Sequence, residues 1–357
     1  MMGNVTKFGV FLINTYPTST GIGEYVYDLL NIENTTCLSL IFKKWAGSTL
    51  KYPGQRYTSF FPELNDKMEF IFNAYMQRIA YPNLKRIVNK TNSQIIHYTD
   101  PSIMPLKTNK ISTVTIHDLL AFYPTLTDGG FLNMRFRYII KNLEKYKHFG
   151  NVIAISNRVK NELIEEGWQN EISVIPYPIS DVFRFLNRKK YARERLGLPQ
   201  DKYLILSVST DTPRKNLTTV NNVIKLLGED FILVRVGPKV GNSITFDYVD
   251  NRETMNLIYN ACDVLLFPTI DEGFGRPVVE AMAAGLPCVL SDIEIMREIA
   301  GSAAIFVPNN DVQLYKESVY SLMGNDKMRE KGIVQAANFS LDIFRGRMIK
   351  FYEKLIR

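Results

Sequence analysis

Residues 272–292 read EGFGRPVVEAMAAGLPCVLSD and contain, in this order, a glycine-rich loop, a helical pattern and a short apolar strand. The two glycines of the loop lack a Cβ, so the backbone can approach a ligand closely. Pro277 suits the start of a helix, where its missing N–H is not needed. The pattern predicts a helix from Val278 to Ala284 that stops at Gly285. A helix followed by a short buried strand is typical of α/β proteins with parallel sheets.

Two carboxylates flank the start of this predicted helix. Glu272 lies in the loop before it, and Glu280 lies on its first turns, eight positions later. A helix N-terminus carries partial positive charge and N–H donors, so it is a ready site for an anion. The layout suits a ligand with hydroxyls at one end, a diphosphate in the middle and a ribose at the other. The alternative is an ordinary helix-opening loop, because short motifs also arise without function.

Arg214 and Lys215 follow a predicted strand within the segment SVSTDTPRKNL, and Asn216 is the expected N-cap of the next helix. Two adjacent cations at a helix start oppose the local helix dipole. Their placement favours a bound anion, since a guanidinium grips phosphate oxygens in pairs and an ammonium adds a point charge. The alternative is a solvated pair of surface charges.

The first half of the chain carries two weaker signals. In STGIGEYVYDLL, Gly23 lies at a helix start where backbone N–H groups can face a phosphate, but Val26 replaces the third glycine of a dinucleotide fingerprint. In TVTIHDLLAFYP, His117 ends a predicted strand. A single histidine at such a place is more often structural than catalytic. His97 also ends a strand and has the weaker claim to a site.

Apolar β-type runs alternate with helical patterns along the chain, which predicts parallel sheets covered by helices on both faces. The expected strands are 8–13, 37–42, 94–98, 113–117, 152–155, 173–175, 203–209, 231–236, 245–249, 264–267, 288–290 and 304–307. The prolines of 176–183 favour a stiff linker, and 357 residues suffice for two domains. We therefore expect domains over residues 1–177 and 178–340. Ligands of two such sheets bind at the carboxyl ends of the strands, in a cleft.

The string 272–292 as a whole resembles the sugar-nucleotide signature of retaining glycosyltransferases of the GT-B fold, in particular the large family 4. The Arg214-Lys215-Asn216 run resembles the diphosphate clamp of that family. The glycine loop and the His117-Asp118 pair resemble family segments too, although Glu24 replaces the usual basic residue. The resemblance implies an α/β GT-B fold, with two Rossmann-like doubly wound parallel-sheet domains facing across a cleft. It also implies that a C-terminal helix, 341–357, crosses back to the N-terminal domain.

The resemblance further implies a role for each candidate residue. Arg214 and Lys215, with the amides near Gly23 and Val278, would stabilise the departing diphosphate. Glu280 would bind the ribose hydroxyls. The expected donor-binding residues are Gly23, Arg214, Lys215, Glu272, Gly273, Phe274, Gly275, Val278 and Glu280. The expected catalytic residues are His117, which would steady the sugar and its developing positive charge, Glu272, which would hold the sugar, Arg214 and Lys215.

The expected activity is transfer of a hexose, mannose or glucose, with retention, in polysaccharide or glycan biosynthesis. The donor would be GDP-mannose or UDP-glucose, and the acceptor a saccharide or polyprenyl-linked sugar. Alternatives are a sugar-nucleotide epimerase or glycan phosphorylase of the same fold, or a non-catalytic sugar-nucleotide-binding protein. We expect no cofactor and no metal, because the chain contains neither Asp-x-Asp nor a histidine or cysteine cluster.

The net charge of +7 leaves several anionic partners open. We exclude nucleic acid, because the sequence shows no recognition helix, zinc-finger spacing or RNP-type strand. The mixed aromatic and basic residues of 41–87 suit peripheral contact with a membrane surface, and the alternative is an insertion packed on its own domain. Three widely spaced cysteines and the lack of a membrane-length apolar run indicate a cytoplasmic protein.

Overall fold

The structure, a computed structural model, describes residues 8–14, 21–39, 56–57, 81–82, 84–119, 122, 132–247, 249 and 251–357. The described chain divides into two compact units. Unit 1 reaches Pro176 and includes Phe344–Arg357, and unit 2 is formed by Tyr177–Ile343. The predicted boundaries at 177/178 and 340/341 lie one and three residues from these divisions.

Unit 1 is built on a parallel sheet. Its elements are β1 (Val10–Asn14), α1 (Gly21–Leu30), β2 (Thr35–Ser39), β3 (Arg56–Tyr57), α2, which includes residues 84–90, β4 (Ile95–Tyr98), β5 (Ile111–Ile116), α3 (Leu132–Tyr146), β6 (Asn151–Ala154), α4 (Asn157–Glu165) and β7 (Glu171–Val174). The seven strands within the described residues have the order β3-β2-β1-β4-β5-β6-β7, all parallel. The order reverses between β1 and β4, which makes this the topological switch point.

Unit 2 repeats the same arrangement. Its elements are α5 (Lys189–Leu196), β8 (Tyr203–Val208), a 3-10 turn (Pro213–Lys215), α6 (Leu217–Leu227), β9 (Phe231–Val236), β10 (Ile244–Phe246), α7 (Arg252–Ala261), β11 (Val264–Phe267), α8 (Arg276–Ala283), β12 (Cys288–Ser291), α9 (Glu294–Ala300), β13 (Ala304–Val307), α10 (Val312–Leu322), α11 (Asp326–Ala336) and a second 3-10 turn (Ala337–Phe339). Its parallel sheet has the order β10-β9-β8-β11-β12-β13, with the switch point between β8 and β11. The last helix, α12 (Leu341–Ile356), begins in unit 2 and continues into unit 1.

The predicted α/β fold with two doubly wound parallel sheets is confirmed, and the predicted strands recur with ends shifted by a few residues. One strand, β3, has no counterpart in the prediction, because its two residues are too few to show a period. One such shift is at β10, which ends at Phe246 rather than at Val249.

The core of unit 2 explains why its central strands read as continuous apolar runs. All four residues of β11 and of β12 are buried, because helices cover both faces of the sheet. Val220 and Val223 of α6 and Val319 of α10 join a buried cluster with Ile205 of β8 and Leu266 of β11. Each such side chain stabilises the fold by about 1.5–3 kcal/mol relative to exposure.

The sheet of unit 1 is joined to α12 by a buried polar network centred on His97. The His97 ring nitrogens lie 2.7 Å from the Tyr352 hydroxyl and 2.7 Å from the Thr115 hydroxyl. The Tyr25 hydroxyl lies 2.9 Å from the same Thr115 oxygen. Burial, together with the neighbouring His117, lowers the pKa of His97 to about 3, so its ring is neutral at pH 7. Both ring nitrogens bind the protein, which makes His97 a structural residue.

Replacement of this histidine predicts a pH-dependent loss of stability. We expect His97→Leu to lower the free energy of unfolding at pH 7 by about 1–3 kcal/mol, because two buried hydroxyls lose a partner. As the pH falls below 6.5, the unfolded wild-type histidine binds a proton that the folded one does not. Wild type therefore loses up to about 1.4 kcal/mol per pH unit that the variant does not lose, and the difference shrinks.

Urea unfolding at pH 7 and pH 5 measures this difference. The exposed His148 provides the control, since His148→Leu should leave the stability and its pH dependence unchanged. A His97→Leu difference that stays constant from pH 7 to pH 5 would contradict a neutral, buried His97.

Candidate functional site

The candidate site of unit 2 lies at the carboxyl edge of its sheet, where the strand order reverses between β8 and β11. Arg214 and Lys215 lie on the 3-10 turn that follows β8, and Glu272 lies in the loop that follows β11. Sheets of this type bind ligands beside the switch point. Three of the residues predicted from the sequence therefore come from the two loops that border this point.

Direct hydrogen bonds tie these two loops together. The Arg214 carbonyl oxygen accepts from the Ile270 amide at 2.7 Å and from the Thr269 hydroxyl at 3.0 Å. The Arg214 guanidinium in turn donates to the Asp271 carbonyl oxygen at 3.0 Å. The position of the cationic turn relative to Glu272 is thus set largely by the backbone, and the side chains need little reorganisation to meet.

The Glu272 carboxylate bridges both cations. Its Oε2 accepts from Arg214 Nη1 at 3.1 Å, and its Oε1 accepts from the Lys215 ammonium. The Lys215 side chain is 9% exposed and that of Glu272 is 11% exposed. The Lys215 Nζ also lies 5.4 Å from the ring centre of Phe267. With two cations and one anion, this cluster has a net charge of +1 and attracts a further anion.

The pKa shifts follow from burial and from the mutual contacts of this cluster. Burial lowers the pKa of Lys215, and the nearby Glu272 opposes that effect. Burial acts to raise the pKa of Glu272, but the charges of Lys215 and Arg214 outweigh it and hold the pKa below its usual range. Glu272 is therefore ionised at neutral pH, which makes it an acceptor of hydrogen bonds rather than a general acid.

Arg235 of β9 binds the end of β8, from which the turn with Arg214 and Lys215 continues. This role was not predicted from the sequence. It is fully buried, and its guanidinium donates to the carbonyl oxygens of Ser207 at 2.9 Å and Ser209 at 2.7 Å. Burial lowers its pKa to about 10, so it stays charged at pH 7. Gly237 follows β9 with φ +118°, and a Cβ there would lie 2.1 Å from the Ser209 carbonyl oxygen. The carboxyl ends of β8 and β9 are thereby held together.

The glycine loop leads directly into α8. Gly275 has φ +94° and is the N-cap, so the helix begins at Arg276, two residues before the predicted Val278. The positive φ explains the need for glycine, and a Cβ there would also displace Met296 Cε, which would lie 2.8 Å away. The Val278 amide, a predicted donor-binding group, donates to the Gly275 carbonyl oxygen at 3.0 Å. Its contact with a diphosphate stays a prediction, as does that of Gly273.

Phe274 anchors the loop to the two segments that connect unit 2 to the rest of the chain. Its buried ring meets the rings of Tyr177 and Phe339 edge-on, with centroids 5.3 and 5.6 Å away. The Ile179 amide donates to the Phe339 carbonyl oxygen at 2.8 Å, so the two connecting segments also bind each other. The Phe274 ring thus has a packing role, and a contact of the Phe274–Gly275 backbone with the sugar stays a prediction.

Glu280 lies on α8 and is 9% exposed. Its Oε2 accepts from the Tyr259 hydroxyl at 2.9 Å, and its Oε1 lies 3.8 Å from Arg276 Nε. The Arg276 guanidinium also lies over the Tyr177 ring, 5.5 Å from its centre. The sequence signal for Arg276 was its i,i+4 spacing from Glu280. No local signal marks Tyr259, because it comes from a different helix.

The predicted residues of the first half, Gly23 and His117, lie in unit 1. Gly23 is buried in the first turn of α1, and His117 follows β5. His117 Nε2 donates to the Thr99 carbonyl oxygen at 2.5 Å, and its ring lies edge-on to Tyr25, 5.4 Å between centroids. Burial lowers the pKa of His117 to about 4, although the Thr99 contact opposes the shift. His117 is therefore a neutral imidazole at pH 7.

The described residues can be searched for groups of metal-ligating side chains and for helices that could span a membrane. Within the described residues, His, Cys, Asp and Glu side chains do not form a group of three suited to a metal ion. Each helix in the described ranges is too short or too polar to cross a bilayer. Most of the segment 41–87, the candidate membrane patch, lies outside the described residues.

Known proteins are similar to this chain in sequence over part of its length. Residues 188–339 match the model of the family described as glycosyl transferases group 1. The O-antigen chain mannosyltransferase RfbU of Salmonella typhimurium is 23% identical over 268 residues, which cover 71% of this chain and 70% of that protein. Two other mannosyltransferases, from Escherichia coli, match over 45% and 31% of their own length.

Solved structures are similar over nearly the whole chain. Sucrose-phosphate synthase from Thermosynechococcus elongatus gives a TM-score of 0.78 at 15% identity, over 98% of this chain and 99% of that chain. Anabaena HepE in complex with UDP and glucose gives a TM-score of 0.72 at 13% identity, over 97% and 99%. These similarities show the GT-B fold.

The matched domain, the mannosyltransferase relatives and the fold support a GT-B glycosyltransferase. Residues 188–339 are its glycosyl transferases group 1 domain, so the predicted enzyme class and fold are confirmed. The match includes Arg214, Lys215, Glu272 and Glu280, so each of these predicted residues lies within the domain.

Removal of the Glu272 charge predicts stronger stabilisation by an anion. Glu272→Gln leaves two buried cations without a counterion, which should lower the free energy of unfolding by about 3–5 kcal/mol. Pyrophosphate should then raise the melting temperature of the variant more than that of wild type, because it replaces the missing charge. Thermal unfolding with and without pyrophosphate measures both effects.

Asp263→Asn is a matched control for this variant. Asp263 also bridges an arginine and a lysine, Arg193 and Lys189, each at 2.7 Å, but it lies at the opposite end of β11. The control should lose stability without any added response to pyrophosphate. An equal response in both variants would show that the Arg214–Lys215 turn has no special affinity for diphosphate.

Proposed function

We propose that this chain is a retaining hexosyltransferase, similar to family 4, that moves mannose or glucose from a nucleotide diphosphate sugar to a saccharide or polyprenyl-linked acceptor. The mannosyltransferase relatives support a hexose donor, and RfbU is named for the O-antigen chain. The HepE complex with UDP and glucose supports a nucleotide sugar. GDP-mannose and UDP-glucose are therefore the donors to test.

The observation that carries this proposal is the cluster of Arg214, Lys215 and Glu272 at the switch point of unit 2. A departing nucleoside diphosphate gains negative charge as the glycosidic bond breaks. The two cations are held by backbone contacts and partly shielded from water, so they stabilise that charge with little reorganisation. Protein cations supply this charge without a metal ion.

The same cluster provides a role for Glu272 in holding the sugar. A diphosphate that binds Arg214 and Lys215 competes with the carboxylate for the same donors. The ionised Glu272 oxygens then become available to accept hydrogen bonds from sugar hydroxyls. Glu272 therefore orients the hexose, together with the backbone of Phe274 and Gly275, and does not transfer a proton.

Glu280 serves the ribose in this proposal. It lies in the second turn of α8, a little over one turn from the glycine loop, and a carboxylate accepts from a pair of vicinal hydroxyls. His117 would steady the sugar as a neutral imidazole. Its ring is neutral because burial lowers its pKa to about 4. A neutral ring does not repel the positive charge that develops on the sugar during transfer.

Three substitutions separate the proposed roles. Lys215→Ala should lower turnover about 100-fold or more, because one charge opposite the leaving diphosphate is lost. Glu280→Ala should weaken nucleotide binding about tenfold, because its contacts with the ribose are lost. His117→Ala should lower turnover with little change in nucleotide affinity. Isothermal titration with GDP and UDP, and assays with GDP-mannose and UDP-glucose, measure these effects.

The exposed Lys225 of α6 gives the control, since Lys225→Ala removes a lysine of the same unit away from the site. It should bind and turn over as wild type does. Unchanged nucleotide affinity in Glu280→Ala would remove the ribose assignment. Detection of a free epimer would favour an epimerase over the transferase. Release of sugar phosphate in a phosphate-dependent reaction would favour a phosphorylase.

A further inference from the structure

Tyr259 contacts Glu280, one of the candidate site residues. It lies on α7, is fully buried, and its hydroxyl donates to Glu280 Oε2 at 2.9 Å. Burial, and then the charge of Glu280, hold the pKa of Tyr259 well above its usual range, so the hydroxyl stays protonated. A buried carboxylate thus has a permanent donor on one of its two oxygens.

The ring of Tyr259 is itself held in place. Phe183 meets it edge-on, with centroids 5.9 Å apart. The chain just after Phe183 is bound to α7 by two asparagines one turn apart. Asn256 Oδ1 accepts from the Arg184 amide at 3.1 Å, and Asn260 Oδ1 accepts from the Leu186 amide at 2.8 Å. Tyr259 therefore presents its hydroxyl from a fixed position.

We propose that Tyr259 is a positioning residue that orients the Glu280 carboxylate and thereby sets the preference of the site for ribose over 2′-deoxyribose. This inference rests on the proposed role of Glu280 in binding the ribose. A carboxylate meets both hydroxyls of a ribose only in a limited range of rotations about its Cγ–Cδ bond. A bond from Tyr259 to Oε2 restricts that rotation before the ligand arrives.

Arg276 lies near the second oxygen of the Glu280 carboxylate. Its Nε lies 3.8 Å from Glu280 Oε1, and its guanidinium packs over Tyr177. This contact is longer than a hydrogen bond, so it restricts the carboxylate less than the contact with Tyr259 does. The short, buried hydrogen bond from Tyr259 limits the rotation of the carboxylate. Preorganisation of this kind strengthens binding because less freedom is lost on association.

Tyr259→Phe tests the inference, because it deletes only the hydroxyl. Isothermal titration gives the dissociation constants of GDP and 2′-deoxy-GDP, and of UDP and 2′-deoxy-UDP. For the nucleotide that wild type binds more tightly, we expect the ribose form to bind about three- to tenfold more weakly to the variant. The 2′-deoxy form should lose less, so the ratio of the two dissociation constants moves towards one.

Tyr315→Phe is the matched control. Tyr315 is a fully buried tyrosine of the same unit, and its hydroxyl donates to the Val307 carbonyl oxygen at 3.4 Å, away from Glu280. Its loss should leave the ribose-to-deoxyribose ratio unchanged. A merely structural role of Tyr259 would give the same result for both variants and would overturn the inference.

Glu280→Asp provides an independent measurement. It draws the carboxylate back by one methylene, away from the Tyr259 hydroxyl, so the ratio should fall as it does in Tyr259→Phe. The double variant should show little further change in the ratio, because both substitutions remove the same contact, the one between the Tyr259 hydroxyl and the carboxylate at position 280. Additive changes would overturn the positioning role.

Glu280→Ala distinguishes the failure of this inference from the failure of the proposed function. If Glu280→Ala abolishes the ratio and Tyr259→Phe leaves it intact, the ribose assignment stands and Tyr259 has no positioning role. If Glu280→Ala leaves both the affinity and the ratio unchanged, the ribose assignment itself is wrong.

Discussion

The bridge from Glu272 to Arg214 and Lys215 is the interaction on which the candidate site of unit 2 depends. Two cations on one short turn would repel each other in a shielded place, and the carboxylate from the neighbouring loop offsets that repulsion. The Arg214 carbonyl, bound by Ile270 and Thr269, joins the two loops independently of the Arg214 and Glu272 side chains. A diphosphate that replaced the carboxylate, as we propose, would leave these contacts in place.

The remaining parts of the site extend from this bridge through α8. Gly275 closes the loop and starts the helix, and the helix places Glu280 against Tyr259 of α7. Phe274 packs between Tyr177 and Phe339, so the loop is also fixed to the segments at both ends of unit 2. The carboxylates that we propose as acceptors for the sugar and the ribose are thus fixed by contacts with other elements, which suits a site that would hold a flexible ligand in one orientation.

The two buried histidines of unit 1 are both neutral but have different hydrogen-bond partners. His97 uses both ring nitrogens to connect β4 with β5 and α12, and His117 donates from Nε2 to the backbone of Thr99. Burial keeps both rings neutral at pH 7. Because neither ring carries a charge, the positive charges that would face a leaving diphosphate in the proposed function come from arginine and lysine.

The sequence by itself determined the alternation of strands and helices, the glycine loop before α8 and the identity of the paired charges, because period, turn chemistry and charge are local properties. It located Arg214, Lys215, Glu272 and Glu280 by motif. Only the tertiary structure decided that Glu272 bridges both cations, that Arg235 clamps the strand ends, and that Tyr259 binds Glu280. These contacts join residues 21 to 58 positions apart, and no local pattern records which distant side chains a sheet brings together.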